Sequence, residues 1–199
     1  MLKRSLAAAL ILTGQASAEA ATVGQTVRVQ AKSFQQTDGP GFVLTESSAI
    51  YAGGLVYTKR FGSAQILLDD GTDLLISPNS SIRIDEFVYA GDGAGGTFSM
   101  SLVAGALRVI SGRMAKPSYR VSTAVAQIGV RGTRYWLDVD EPGILKIWVD
   151  EGAVEARPVR SDEVFVFEAP VYAECTETTC ALSDPPPKPV KFPDDPTRR

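Results

Sequence analysis

Acidic side chains gather at three points of this chain and are the first candidates for chemistry. The clusters are Asp69, Asp70 and Asp73; Asp138, Asp140 and Glu141; and Asp150 with Glu151. Paired carboxylates can hydrolyse a glycosidic bond, and six or more oxygens can bind calcium. The first cluster lacks the spacing of a calcium loop, because Gly71 comes too early and no Glu closes it. Since Asp and Gly favour tight bends, the clusters predict solvent-exposed hairpin turns.

Histidine is absent from the whole chain. This removes the Ser-His and Cys-His pairs of nucleophilic catalysis and the commonest metal ligand. The glycine-rich residues 91–96 lack the Lys-Ser/Thr of a phosphate-binding loop, so they predict a flexible connection. We therefore expect no catalytic residues, no bound metal and no cofactor, and we expect that the protein is not an enzyme.

Two cysteines, Cys175 and Cys180, lie close together near the C-terminus. In an exported protein, an even number of closely spaced cysteines indicates a disulfide. The alternatives are two free thiols or half of a metal site. A zinc site needs four ligands, and the chain has no further Cys or His to complete one. We predict a disulfide.

The N-terminus has the features of a cleavable signal peptide over residues 1–18. Basic residues precede a short apolar run, and Ala16 and Ala18 frame a small-residue cleavage site. Cleavage after Ala20 fits the same rule. An uncleaved membrane anchor is the alternative, but the run is shorter than the roughly 20 apolar residues that span a bilayer. We expect a periplasmic or secreted protein with no membrane span after cleavage.

The remaining sequence predicts one domain and a tail. Residues 19–183 are long enough for a single domain with its own core. Residues 184–199 are rich in proline and cannot form a helix or a central strand. We expect this tail to be extended and disordered. The net charge of −3 and the lack of a basic cluster predict no nucleic-acid partner.

The apolar runs are short, rich in β-branched and aromatic residues, and bounded by turn residues, as in strands. They cover residues 26–30, 65–68, 73–77, 81–85, 97–102, 134–139, 146–149, 163–168 and 171–174. Residues 69–72 and 140–143 predict hairpin turns. Residues 104–110 resemble a short helix, but Gly105 and Gly112 argue against a long one. We predict an all-β domain, an antiparallel β-sandwich or β-roll of many short strands.

Five motifs in order resemble the FecR-type periplasmic domain over roughly residues 47–157. They are a strand and turn at 67–71, a strand ending in Pro78, Asn79 and Ser80, a glycine-containing strand at 102–110, the segment Val130, Arg131, Gly132 and Thr133, and a turn with a valine strand at 149–154. The resemblance implies a bacterial envelope module that binds and signals. Many members carry a cytoplasmic anti-sigma region and a membrane helix before this domain. Because a signal peptide precedes it here, we expect a separate exported copy.

The segment Val130, Arg131, Gly132 and Thr133 is the candidate binding site. Gly129 and Gly132 predict a bend or bulge in the strand, and the Thr133 hydroxyl could bond a neighbouring backbone group. Arg131 could bond carbonyls at the bend or pair with a carboxylate. Its role is then either structural, as a staple of the bulge, or direct contact with a partner.

Trp136 and Trp148 lie in adjacent predicted strands. Exposed on one face, they could stack on a sugar ring; buried, they would supply core volume.

Three hypotheses for function follow. The first is an exported FecR-type module that contacts another envelope protein, such as the signalling domain of an outer-membrane receptor. The alternatives are a protein that binds glycans or peptidoglycan and a purely structural β module.

Overall fold

The protein is described by a computed structural model that covers residues 21–91, 95–115 and 118–184. The predicted signal peptide lies outside the described residues, as do residues 92–94 of the glycine-rich stretch and residues 185–199 of the proline-rich tail. The described residues form sixteen strands: β1 (Thr22–Gln30), β2 (Ser33–Gln36), β3 (Phe42–Val43), β4 (Ala49–Tyr51), β5 (Leu55–Thr58), β6 (Ser63–Leu68), β7 (Asp73–Ile76), β8 (Ser81–Tyr89), β9 (Gly96–Ala104), β10 (Ala106–Ile110), β11 (Tyr119–Ser122), β12 (Ala126–Asp138), β13 (Leu145–Pro158), β14 (Phe165–Glu168), β15 (Val171–Cys175) and β16 (Cys180–Leu182).

These strands join in one curled sheet. Its main path runs β3-β2-β5-β8-β9-β11-β12-β10-β7-β6-β1-β4, and β13 adds to β12 and carries β14 and β15 on its other side. The prediction of an all-β domain of many short strands is confirmed. One pair, β9 and β11, runs parallel rather than antiparallel. Two parallel strands need a long connection between them. Here that connection contains β10, which pairs elsewhere in the sheet before the chain continues to β11.

The predicted turns and alternating runs are confirmed. Residues 69–72 join β6 to β7, and residues 140–143 join β12 to β13. Ile82 and Ile84 are both fully buried, as strand alternation requires. Residues 104–110, which resembled a short helix in the sequence, instead end β9 and form β10.

The core is one continuous cluster of buried apolar side chains. Alternate residues of each strand enter it, such as Phe98, Met100 and Leu102 of β9. Burying one such side chain stabilises the fold by roughly 1.5–3 kcal/mol. Among the described residues, no helix has the length and hydropathy to cross a membrane.

Candidate functional site

The predicted bulge lies in the middle of β12. Pairing between β12 and β13 is regular up to Arg131 and shifts between Arg131 and Arg134, so the bulge is confirmed. Gly132 and Gly152 both have positive φ, 65° and 74°. A Cβ on Gly152 would overlap the Gly132 carbonyl oxygen, so the close approach of the two backbones requires that Gly152 has no side chain.

Hydrogen bonds of the Thr133 backbone hold the bulge to Ser111, in the segment after β10. The Thr133 N–H donates to the Ser111 hydroxyl at 3.0 Å, and the Ser111 N–H donates to the Thr133 carbonyl at 3.1 Å. The Thr133 side chain is buried, and its hydroxyl has no hydrogen-bond partner among the described residues. The anchoring therefore uses the backbone of Thr133 rather than its hydroxyl.

Arg131 lies on the outer face of the bulge. Its side chain is 69% exposed and pairs with the carboxylate of Glu155 on β13. Val130, the preceding residue, points the other way and is buried. The Arg131 guanidinium thus lies at the surface, paired with a carboxylate of the neighbouring strand.

An open groove of about 820 Å³ adjoins Arg131. It crosses β11, β12 and β13, whose register places Arg120 beside Gly129 and Gly129 beside Glu155. The polar and small residues of its lining are Arg120, Gln127, Gly129, Arg131, Glu155 and Arg157. The volume suits a ligand or a peptide segment, so this groove is a candidate site next to the bulge.

A buried hydrogen-bond network fixes β11 beneath the groove. The carboxylate of Asp70 is fully buried and accepts hydrogen bonds from the Thr72 N–H at 2.9 Å, the Thr72 hydroxyl at 2.8 Å and the Tyr119 hydroxyl at 2.5 Å. Burial raises the pKa of the Tyr119 phenol, and the hydrogen bond to Asp70 raises it further. The prediction of a solvent-exposed turn is therefore wrong for Asp70, because its carboxylate anchors Tyr119, the neighbour of Arg120.

Trp136 and Trp148 are directly paired across β12 and β13 on the face opposite the core. The row continues to Arg108 on β10 and Tyr172 on β15. Trp148 is only 6% exposed and its ring lies 4.7 Å from that of Tyr172, between centroids. Trp136 is partly buried, lies under the Arg108 guanidinium at 5.8 Å and donates to Asp150. Trp148 thus packs beneath its neighbours instead of offering an open ring to a sugar.

Cys175 and Cys180 form the predicted disulfide. The two residues are paired in register between β15 and β16, so the bond closes the end of that hairpin. Both side chains are buried. The bond is thus shielded from solvent and serves the structure.

The other acidic clusters belong to turns and strand surfaces. Glu141 pairs with Lys146 across the β12–β13 turn at 2.9 Å, and this contact raises the pKa of Lys146. Burial and the nearby Asp138 raise the pKa of Asp140. No cluster of three or more His, Cys, Asp or Glu among residues 21–91, 95–115 and 118–184 has the arrangement of a metal site.

Arg120 and Arg157 were not singled out by the sequence. Gly129 was predicted to bend the strand together with Gly132, but the pairing of β12 is regular at Gly129 and shifts only after Arg131. Arg157 alternates with buried residues in β13, which marks it as exposed. Only the sheet topology shows that β11 and β13 flank the same stretch of β12 and bring the arginines of both strands to one groove.

The family of the chain is shown by a direct comparison. The model of the FecR protein family matches residues 55–155, which is half of the chain and lies inside the predicted span of 47–157. The protein therefore belongs to the FecR family. The match includes the bulge and most of the groove. No curated protein sequence matches the chain.

Two crystal structures share the fold. Both are of a candidate anti-sigma factor from Parabacteroides distasonis ATCC 8503, at 1.65 Å and 2.50 Å resolution. Each has a TM-score of 0.50, with sequence identities of 17% and 16% respectively. The alignment covers 65% of this chain and 60% of that protein. At this identity the likeness establishes the architecture alone.

Proposed function

We propose that this protein is an exported, non-enzymatic FecR-type module that binds another envelope protein in signalling or regulation. The observation that carries the proposal is the exposed Arg131 on a glycine bulge within the FecR-matched region. A bulge re-aims side chains and often adjoins a functional site. The likeness in fold to a candidate anti-sigma factor is consistent with a regulatory role.

Three features support binding rather than catalysis. The chain has no histidine, and the buried Asp70 carboxylate is engaged in structural hydrogen bonds. The groove is open, and its lining includes Arg120, Arg131 and Arg157. Exposed arginines are frequent anchors in protein interfaces because their planar guanidinium pairs with carboxylates and carbonyls. The proposed contact surface is accordingly the groove together with residues 130–133.

The proposal is tested by crosslinking the tagged protein in intact cells and identifying its partners by mass spectrometry. We expect a specific envelope protein, such as a receptor or sensor, to be captured by the native chain and to be depleted by Arg131→Ala. Arg160→Ala is the matched control, because Arg160 is also exposed and also pairs with a glutamate, Glu177.

An equal yield from both variants would remove Arg131 from the contact. Recovery of murein-associated proteins alone, with no sensor or receptor, would count against the signalling role. Thermal melting of both variants excludes unfolding as the cause, since an exposed ion pair contributes at most about 1 kcal/mol.

A further inference from the structure

The groove over Gly129 has a charge opposite to that of the whole protein. Of the described residues, Arg120, Arg131 and Arg157 line it with Glu155 as the acidic residue, whereas the chain carries a net charge of −3. Low-dielectric walls concentrate such a local field. The groove therefore attracts an anionic group although the protein as a whole is acidic.

Two of the three arginines have no acidic partner within the part of the chain that the structure describes. Arg120 and Arg157 are exposed, and within residues 21–91, 95–115 and 118–184 neither forms an ion pair or hydrogen bond through its side chain. They lie on β11 and β13, on either side of β12, so their strands are about 10 Å apart. Two guanidinium groups at that separation can hold two carboxylates of one extended segment.

The floor of the groove is open because Gly129 has no side chain. Gly129 lies in a regular part of β12, between Arg120 and Glu155 on the neighbouring strands. A Cβ there would contact only Glu155, at the ordinary distances of 3.7 and 3.8 Å. Packing therefore does not require glycine at this position, and its effect is to deepen the groove.

The rim adds apolar surface next to the arginines. Val164 lines the groove and is 40% exposed, and Val166, opposite Glu155 on β14, is also exposed. Tyr119, the aromatic residue in the described lining, is buried. Guanidinium and aliphatic groups together match the carboxylates and apolar side chains of a peptide, and the described lining offers no exposed aromatic ring on which a sugar could stack.

We propose that this groove binds an extended acidic segment of a partner protein. Its carboxylates pair with Arg120 and Arg157, and an apolar side chain between them contacts Val164. This inference rests on the proposed function, because it requires a protein partner. It goes further by naming the acidic and apolar side chains that the partner presents.

The probe is a fluorescently labelled peptide in which Asp or Glu alternates with Val or Leu, added to the purified exported chain. Fluorescence anisotropy at low salt should show saturable binding that weakens as salt screens the charges. The double variant Arg120→Glu with Arg157→Glu should bind about tenfold more weakly or worse, because both contacts become repulsive. Gly129→Val, which fills the floor without changing charge, should also weaken binding.

Arg60→Glu is the control for net charge, and it is compared with Arg120→Glu or Arg157→Glu alone because each single reversal changes the net charge equally. Arg60 is exposed in the turn between β5 and β6 and has no acidic partner among the described residues, so its reversal changes net charge without touching the groove. If Arg60→Glu weakens peptide binding as much as the groove variants do, the effect comes from net charge alone and the proposal is overturned. No peptide binding, or binding of a muropeptide or an oligonucleotide in its place, would overturn it as well.

The groove and the proposed function can fail separately. If the partner captured in cells binds the double variant and the native chain equally, the groove is not its contact, although the binding function stands. If acidic peptide binds the groove but no partner is captured, the peptide site stands and the envelope-partner role fails. Thermal melting of every variant verifies that the sheet remains folded.

Discussion

At the residue scale, two neighbouring aspartates of this protein have different roles, one in the buried framework and one at the surface. Asp70 is fully buried and bonds Thr72 and Tyr119, whereas its neighbour Asp69 is exposed. A buried carboxylate is tolerable only when its hydrogen bonds are satisfied. Asp70 therefore belongs to the framework that fixes β11, and the groove depends on it indirectly through Tyr119.

Asp70→Asn should destabilise the fold by about 2 kcal/mol, because the amide cannot accept all three hydrogen bonds and leaves a buried donor unpaired. Urea denaturation followed by tryptophan fluorescence measures the change. Asp69→Asn, the exposed neighbour, should stay within about 0.5 kcal/mol of the native chain. Equal midpoints for the two variants would show that the Asp70 network contributes no stability.

At the element scale, the β12–β13 hairpin is the unit that builds the site. Its bulge depends on Gly132 and Gly152, and its turn on Gly143. Gly152 and Gly143 have nearly the same φ, 74° and 76°, but only Gly152 faces another strand's backbone closely. Replacing each glycine by alanine therefore separates two contributions to the free energy of unfolding: the strain of a positive φ, which both positions share, and the clash with a neighbouring backbone, which occurs only at Gly152.

Gly143→Ala should cost about 1–2 kcal/mol, the strain of a left-handed backbone with a Cβ. Gly152→Ala should cost at least about 2 kcal/mol more, because its Cβ also overlaps the Gly132 carbonyl oxygen. Chemical denaturation of both variants gives the two free energies of unfolding. A Gly152→Ala protein as stable as Gly143→Ala would mean that the bulge opens at little cost.

The β15–β16 hairpin is held by the Cys175–Cys180 disulfide. Replacing both cysteines by serine should lower the free energy of unfolding by about 2 kcal/mol, the entropy of closing so short a loop. Denaturation midpoints with and without reductant provide the measurement. The native chain should shift on reduction, whereas the double variant should not. A native midpoint that is insensitive to complete reduction would contradict this role.

The sequence predicts the strands and turns better than it predicts which strands pair with each other in the sheet. Alternation correctly places Ile82 and Ile84 inside, and the Asp-Gly bend correctly predicts the β6–β7 hairpin. Local patterns do not carry the parallel pairing of β9 with β11, because those strands are brought together by the rest of the sheet. For the same reason Arg131 is identified from a local motif, whereas its companion Arg120 becomes visible only in the folded chain.

At the scale of the whole molecule, three buried tyrosines link stability to pH. Burial raises the pKa of Tyr119, Tyr135 and Tyr172, with hydrogen bonds to Asp70 and Glu174 adding to the effect at Tyr119 and Tyr172 respectively. The unfolded chain releases these protons near pH 10. Above that pH the folded state holds more protons than the unfolded state, so stability falls as pH rises.

Stability should be insensitive to these groups below about pH 9 and should fall above about pH 10, by up to about 1.4 kcal/mol per pH unit for each tyrosine. Urea denaturation across this range, with ultraviolet titration of the phenols, tests the slope. In Tyr135→Phe, stability should fall less steeply as pH rises, because one of the three titrating phenols is absent. An unchanged slope in that variant would show that Tyr135 does not hold its proton in the folded state.

The central claim is that the face around Gly129 and Arg131 contacts a protein partner. The most direct test incorporates a photo-crosslinking amino acid at Gln127, which is exposed and lines the groove, and at Val43, which is 60% exposed on β3 at the far end of the sheet. Irradiation of intact cells should yield one discrete crosslinked product from position 127 and none from position 43. The same product from both positions, or none from 127, would contradict the claim.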